Sequence, residues 1–166
     1  FGEQFTFKDP AAAQKLPLDT VLNGVKVYLN DKAIPVYYAA YGQINFQIPF
    51  DAATGEARIS VEREGVRGNS VTLTVNAREP RILTLGSTTY GIIVNQDGTY
   101  PLPVSYGTGF RPAKAGDYLT LYALGLGAVA PPVANGAAAP SAPLAYVSVP
   151  VQVVINGNLR VDTLFA

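Results

Sequence analysis

Glu62 and Glu64 stand two residues apart in a segment whose alternation puts both carboxylates on one solvent face, the arrangement that paired-acid hydrolysis of a glycoside would use. No pattern around them suggests a cleft to hold a substrate. The commoner catalytic groups are missing altogether, because the chain contains no His and no Cys. That removes the Ser-His-Asp triad, the thiolate nucleophile, the thiolate zinc site and any imidazole titrating near neutrality. The expectation is a protein that is not an enzyme.

The remaining polar motifs read as structure. Asn95-Gln96-Asp97-Gly98-Thr99 has the oxygen-rich, glycine-containing look of part of a calcium loop, but lacks the further carboxylates and the Glu that complete one, so it reads as a turn with no metal. Asp117, after Gly116, caps or turns the chain into its next strand, with Lys114 in reach for a surface ion pair. Gly125-Leu126-Gly127 is followed by neither a helix nor a third spaced glycine, so no nucleotide loop and no cofactor are expected. Tyrosine is frequent, with Tyr37, Tyr38 and Tyr41 together and Tyr90, Tyr100 and Tyr106 around a long loop. Exposed tyrosines stack on sugars or on a neighbouring subunit, and strand propensity also enriches them at core edges. The row Gln43, Asn45, Gln47 forms an amide ladder, grips a glycan, or is a solvated face.

These residues must be carried by strands. Val25-Lys26-Val27-Tyr28-Leu29 alternates strictly, Asn30-Asp31 supplies a turn, and Ile34 to Ala40 returns as one strand in which Pro35 marks an edge or bulge. Gln43 to Ile48 alternates with Ile44, Phe46 and Ile48 inward, and Ala57, Ile59, Val61 and then Val71, Leu73, Val75 mark two more strands. Alternation pauses at Arg78-Glu79-Pro80, which reads as a joint. Strand-like pieces follow at Ile82 to Leu85, Gly91 to Asn95 and Tyr118 to Leu124, around a Gly/Pro/Tyr-rich loop from Gln96 to Gly116. Residues 125–143, nearly all Gly, Ala, Pro and Val, are expected to lie flat against a sandwich. The predicted fold is all-β: two immunoglobulin-like β-sandwich domains in tandem, residues 1–78 and 79–166.

The last segment repeats an earlier one. Val151-Gln152-Val153-Val154-Ile155-Asn156-Gly157 matches Val25 to Asp31 in style, and Leu159 to Ala166 continues beside Ala33 to Ala40. In the first domain three further strands follow that hairpin, whereas in the second the sequence stops. The second sandwich is therefore expected to be incomplete at its C-terminus, leaving an apolar groove lined by Val151, Val153, Ile155 and Leu164, with unpaired backbone edges. A strand from another copy would fill it. Glu3-Gln4-Phe5-Thr6-Phe7, within the N-terminal segment 1–15, alternates and is either that donor, through Phe5 and Phe7, or the first strand of its own domain; Tyr37 and Tyr41 are the candidate contact tyrosines.

Composition bounds the partners. Nearly half the residues are hydrophobic at 48%, enough for real cores, and twelve basic residues against twelve acidic ones leave no electrostatic case for nucleic acid. No stretch approaches the roughly 20 apolar residues that span a bilayer. The chain opens at Phe1 and holds no Met, as a product processed by removal of an export signal would.

Leu16-Pro17-Leu18-Asp19-Thr20-Val21-Leu22-Asn23-Gly24-Val25, Tyr41 to Pro49, Asn95 to Thr99, Gly116 to Gly127 and Pro131-Pro132-Val133-Ala134-Asn135-Gly136, in this order, resemble the uncharacterised C-terminal domain family of acidobacterial (Solibacter-type) secreted proteins. The resemblance runs from about Phe1 to Ala166. It implies immunoglobulin-like sandwiches at the ends of large surface proteins, an extracellular or cell-surface location and no established enzymatic activity. Members of that family run on past the equivalent of Ala166 through a second strand like Gln43 to Pro49, so this chain either is truncated or takes its missing strand from another molecule. The partners expected are copies of the same chain, assembling into a surface filament, or surface polysaccharide bound by an adhesion module.

Overall fold

The structure is a computed structural model that describes residues 3–86 and 88–166. Phe1 and Gly2, the start of the candidate donor segment, and Ser87 lie outside the described residues. The chain is nearly all β. Its strands are β1 (Ala11–Ala12), β2 (Val25–Leu29), β3 (Lys32–Ile34), β4 (Val36–Ala40), β5 (Gln43–Phe46), β6 (Gly55–Arg63), β7 (Val66–Val75), β8 (Arg81–Ile82), β9 (Ile93–Asn95), β10 (Leu119–Leu121), β11 (Ala123–Leu124), β12 (Val129–Ala130), β13 (Tyr146–Val147), β14 (Gln152–Ile155) and β15 (Leu159–Asp162). A 3-10 turn at Val104–Tyr106 is the one helical element among the described residues, and no helix is long and apolar enough to cross a membrane.

The first seven strands form two sheets, β1-β4-β5 and β3-β2-β6-β7, antiparallel throughout. Alternation in β2 sends Val25, Val27 and Leu29 inward and leaves Lys26 and Tyr28 half-buried on the opposite face. Val27, Leu29 and Ile34 of one sheet meet Val36 of the other, with Ala57 and Val75, and the half-buried Ile44, Phe46, Ile59 and Leu73 close the core around them. Val27, Ile34 and Val36, fully enclosed, each contribute about 1.5–3 kcal/mol by leaving water.

The stretch Ile34 to Ala40, expected as one strand, is two strands in different sheets. Pro35 has no N–H for a ladder, and at that residue the chain leaves β3 and crosses to the opposite sheet as β4. Backbone bonds hold the corner: Val36 N–H donates to the Asp19 carbonyl at 2.9 Å and Gln47 N–H to the Pro35 carbonyl at 2.9 Å. One proline thus puts Ile34 and Val36, both fully buried, into the same core from opposite sides.

Residue contacts group Gly127–Ala166 with Phe1–Ala77 and set Arg78–Leu126 apart as a second unit. This division differs from the expected single domain at 79–166. In Arg78–Leu126 the sheets are only two-stranded, β8 with β11 and β9 with β10. Gly125, at φ +72°, lets Glu79 N–H donate to its carbonyl at 2.8 Å; a Cβ there would run into the Glu79 carbonyl. Within Gly127–Ala166 the pairs are β12 with β13 and β14 with β15. The Pro/Ala-rich stretch docks on the first sandwich through its turn. Gly136 N–H donates to Gln47 Oε1 at 2.6 Å, Leu18 N–H to the Gly136 carbonyl at 2.8 Å, and Asn135 bridges Phe50 N–H and Asp51.

Because Ile34 is fully enclosed, Ile34→Ala should destabilise the sandwich by about 2–5 kcal/mol in chemical denaturation, whereas Val66→Ala, on a mostly exposed side chain, should change it by less than about 0.5 kcal/mol.

Candidate functional site

The β14–β15 hairpin carries an apolar face that is partly open to solvent. It turns on Asn156 (φ 51°) and Gly157 (φ 77°), as β2–β3 turns on Asn30 (φ 47°) and Asp31 (φ 69°), both with the left-handed pairs that suit tight hairpins. The register pairs Val153 with Val161 and Ile155 with Leu159. Alternation therefore gathers Val151, Val153, Ile155, Leu159 and Val161 on one face, with Gln152, Val154, Arg160 and Asp162 on the other.

In the first sandwich the matching face of β2 is completely enclosed. Here Ile155 is 44% exposed, Leu159 57% and Val161 42%, while Val151 and Val153 are half-buried. No third strand joins either edge of the pair among the described residues. A two-stranded hairpin with an open apolar face is only marginally stable in water until something covers it. The turn holds one residue more than its counterpart, Asn158, which brings Leu159 and Val161 onto the apolar face; that signal lies in their own alternation.

Of the expected contact residues, the structure brings Val151, Val153 and Ile155 onto one face and leaves Leu164 beyond β15, 83% exposed. Phe165 stacks edge-on against Tyr146 at 4.8 Å, and the Ala166 carbonyl accepts from Val147 N–H at 2.7 Å. Phe5 and Phe7 lie elsewhere, against their own sandwich and outside any strand. Phe5 N–H donates to the Tyr41 carbonyl at 3.0 Å, Thr6 is buried, and Phe7 packs against Tyr41 at 6.0 Å with the Arg63 guanidinium over its ring. Lys8 pairs with Glu64. The segment is spent on these contacts in this conformation. Tyr37 stands 53% exposed on β4, away from any ring partner among the described residues.

The second free feature is the outer edge of β7, the longest strand of the molecule at 10 residues. Val71 has the inward parity of Leu73 and Val75, opposite Ile59 on β6, yet is 58% exposed.

The polar motifs are held in networks. Glu62 accepts from Lys26 Nζ at 2.9 Å and from Tyr28 Oη at 2.7 Å; the Lys26 bond first, then that of Tyr28, holds its carboxyl below the ordinary 4.5. Glu64 is not its partner on one face, as alternation alone suggested: β6 ends at Arg63, and Glu64 enters the turn at φ 48° and reaches Lys8. The amide row is divided too, with Gln43 donating to Asn45 at 2.8 Å and Gln47 engaged by Gly136.

In the Arg78–Leu126 unit, Arg111 occupies the middle of the oxygen-rich loop. Its Nε donates to Asp97 Oδ2 at 2.5 Å and its Nη1 to Asp117 Oδ2 at 2.6 Å, so Asp117 pairs with Arg111 and takes only the backbone N–H of Lys114, at 2.8 Å. Thr99, through its hydroxyl and N–H, and then Arg111 push the Asp97 carboxyl far below its usual range. Buried Asn95 donates to Thr99 Oγ1 and the Arg111 carbonyl. Beside this hub Tyr106 contacts Tyr90, hydroxyl to hydroxyl at 3.0 Å, and Phe110 packs on both Tyr106 and Tyr100. These tyrosines hold the loop together. Among the described residues no three or more Asp or Glu side chains come together as a metal site would require.

Compared with family models, with curated proteins and with solved structures, the chain matches none of them.

Asp97 and Asp117 both have lowered values in the folded chain, so their stabilisation is full above their ordinary 3.8 and is lost as pH falls through the folded values. Arg111→Met should remove the part of this acid dependence that Arg111 supports, the leading part for Asp117 and the lesser for Asp97, and speed proteolytic cleavage within residues 96–117 at neutral pH, read by mass spectrometry of the fragments; an unchanged cleavage rate would show the hub to be dispensable.

Proposed function

We propose that this chain is a non-enzymatic structural protein of the cell surface, a subunit of an extracellular filament assembled by β-strand addition between copies. The observation that carries the reading is the β14–β15 hairpin, whose apolar face is exposed at Ile155, Leu159 and Val161 and which no third strand joins among the described residues. Strand addition satisfies both defects at once, by pairing the N–H and C=O groups and by covering the side chains.

Both halves of such a joint are present in one chain. With the Phe5–Phe7 segment engaged on its own lobe, the outer edge of β7 is the longest edge among the described strands and can pair with the hairpin of a neighbour, and Val71 extends the apolar side of that joint. Because β7 and the hairpin are different surfaces, the contact is heterologous and propagates into a fibre rather than closing a dimer. The three-on-four arrangement of sheets supports an immunoglobulin-like reading of the first sandwich. The resemblance to acidobacterial secreted proteins supports the extracellular setting.

Electron microscopy of the purified chain tests this directly: the expected result is fibres, and a protein that stays monomeric when concentrated contradicts the proposal. A double substitution, Val153→Lys with Ile155→Lys, should leave the core of the first sandwich intact by denaturation and abolish the fibres. Removing residues 1–8 should leave the fibres in place; their loss from a folded monomer would instead make the N-terminal segment the donor.

A further inference from the structure

On the outward face of the β3-β2-β6-β7 sheet, away from the core, lies a depression of about 190 Å3 lined by Asp31, Arg58, Ser60, Arg67, Gly68 and Ser70. We infer that it is a binding site for a single oxyanionic group, a carboxylate or a sulfate, of the kind carried by sugar acids and sulfated sugars. Nothing in the assembly reading requires it, and the two stand or fall separately.

The site is built rather than incidental. Arg67 is fixed on three sides: its guanidinium lies over the Tyr28 ring at 4.2 Å, its Nε donates at 2.8 Å to Oγ of Ser60, which is only 4% exposed, and its Nη2 donates at 2.7 Å to Asp31. Tyr28 is held in turn by Glu62. The backbone of Arg58 is pinned by reciprocal bonds to Asn30, with Arg58 N–H donating to Asn30 Oδ1 at 2.8 Å and Asn30 N–H to the Arg58 carbonyl at 2.9 Å. The ladder is irregular between Ser60 and Glu62, which brings Arg67 and Ser70 onto the face that Ser60 occupies. Gly68 leaves the wall without a side chain.

Charge and donor count favour an anion. Two guanidiniums face one carboxylate, a local balance of +2 − 1 = +1, so one bound monoanion brings the depression to neutrality. A guanidinium presents a planar fork of N–H donors suited to two oxygens of a carboxylate or sulfate. Arg67 has committed only its Nε and one terminal nitrogen, and Arg58, with a side chain 67% exposed, reaches Asp31 only at a loose 3.9 Å. Its fork is free to turn to a ligand, and the Ser70 hydroxyl adds a further donor. The volume falls below the roughly 300–1,000 Å3 of pockets that enclose whole small molecules, so the site grips one group projecting from a ligand that stays mostly in solvent.

Asp31 is the internal competitor, which gives the test opposite signs. Amide chemical shifts of Arg58, Gly68 and Ser70 would be followed by NMR while the full chain, kept monomeric by Val153→Lys with Ile155→Lys, is titrated at low ionic strength with sodium sulfate, with polygalacturonate and with neutral dextran. Sulfate and polygalacturonate should shift these amides and dextran should not. Shifts with polygalacturonate well below the concentration of free sulfate needed assign the group to a polysaccharide, and equal concentrations assign it to the free ion. Arg58→Ala should weaken binding about three- to tenfold, while Asp31→Asn, which keeps a residue tolerant of the left-handed turn, should strengthen it by a similar factor. Arg58→Lys, with the charge but not the fork, should recover only part of the loss. Absence of shifts at these amides, or the same affinity in Arg58→Ala and Asp31→Asn as in the parent, overturns the inference. The fibre assay is independent of each of these readings.

Discussion

Val27 and Leu29 can leave water only if strands arrive on both flanks of β2 and a second sheet closes over it, and the chain meets that constraint at Pro35. A residue without an N–H cannot extend the β3 ladder, so the chain turns out of the first sheet there and enters the second. Ile34 and Val36, neighbours but one in sequence, then face one another across the core. Everything else in the sandwich follows from this crossing. The order β1-β4-β5 needs β4 to have left its hairpin, and β6 can then pair with β2 on the side away from β3.

Polar order is organised around single side chains that draw together residues far apart in sequence. Glu62 collects Lys26 and Tyr28, Tyr28 supports Arg67, and Arg67 draws in Asp31 and Ser60, so the outward face of the four-stranded sheet is one connected set of bonds. Arg111 does the same for the loop between β9 and β10, supplying as a guanidinium the positive charge that Asp97 and Asp117 require. Asn135 and Gly136 perform a related task with neutral groups, fastening a proline-rich stretch whose own backbone has few donors to Gln47, Leu18, Phe50 and Asp51.

The same local pattern meets two fates in this molecule. Val25 to Leu29 and Val151 to Ile155 share alternation and a left-handed turn, and both make hairpins. One is enclosed between β6 and an opposing sheet; the other presents its apolar face to solvent. Hairpin formation is local, governed by the turn and by pairing of near neighbours, while burial depends on strands distant in sequence. That contrast directs attention to assembly, because the uncovered copy shows which surface is unsatisfied and the covered copy shows what kind of structure satisfies it.

Strand positions from Val25 to Val75 were legible because each core strand has one wet and one dry face, which writes period-two alternation into the residues themselves. The β14 half of the last hairpin's apolar side, Val151, Val153 and Ile155, was legible for the same reason, whereas Leu159 and Val161 take their place on it through the register of the pair. Alternation carries no information about which sheet a strand joins, so the split of Ile34 to Ala40 came as a single strand with a blemish at Pro35. Nor does it reveal partners brought together by folding. Arg111 lies 14 residues from Asp97 and 6 from Asp117, Phe5 docks on Tyr41 across the turn between β4 and β5, and Arg58 and Arg67 share a wall only because β6 and β7 lie side by side. Periodicity belongs to the chain; proximity belongs to the fold, since it is set by which buried surfaces are brought into contact, and the depression, the arginine hub and the exposure of β7 are all matters of proximity.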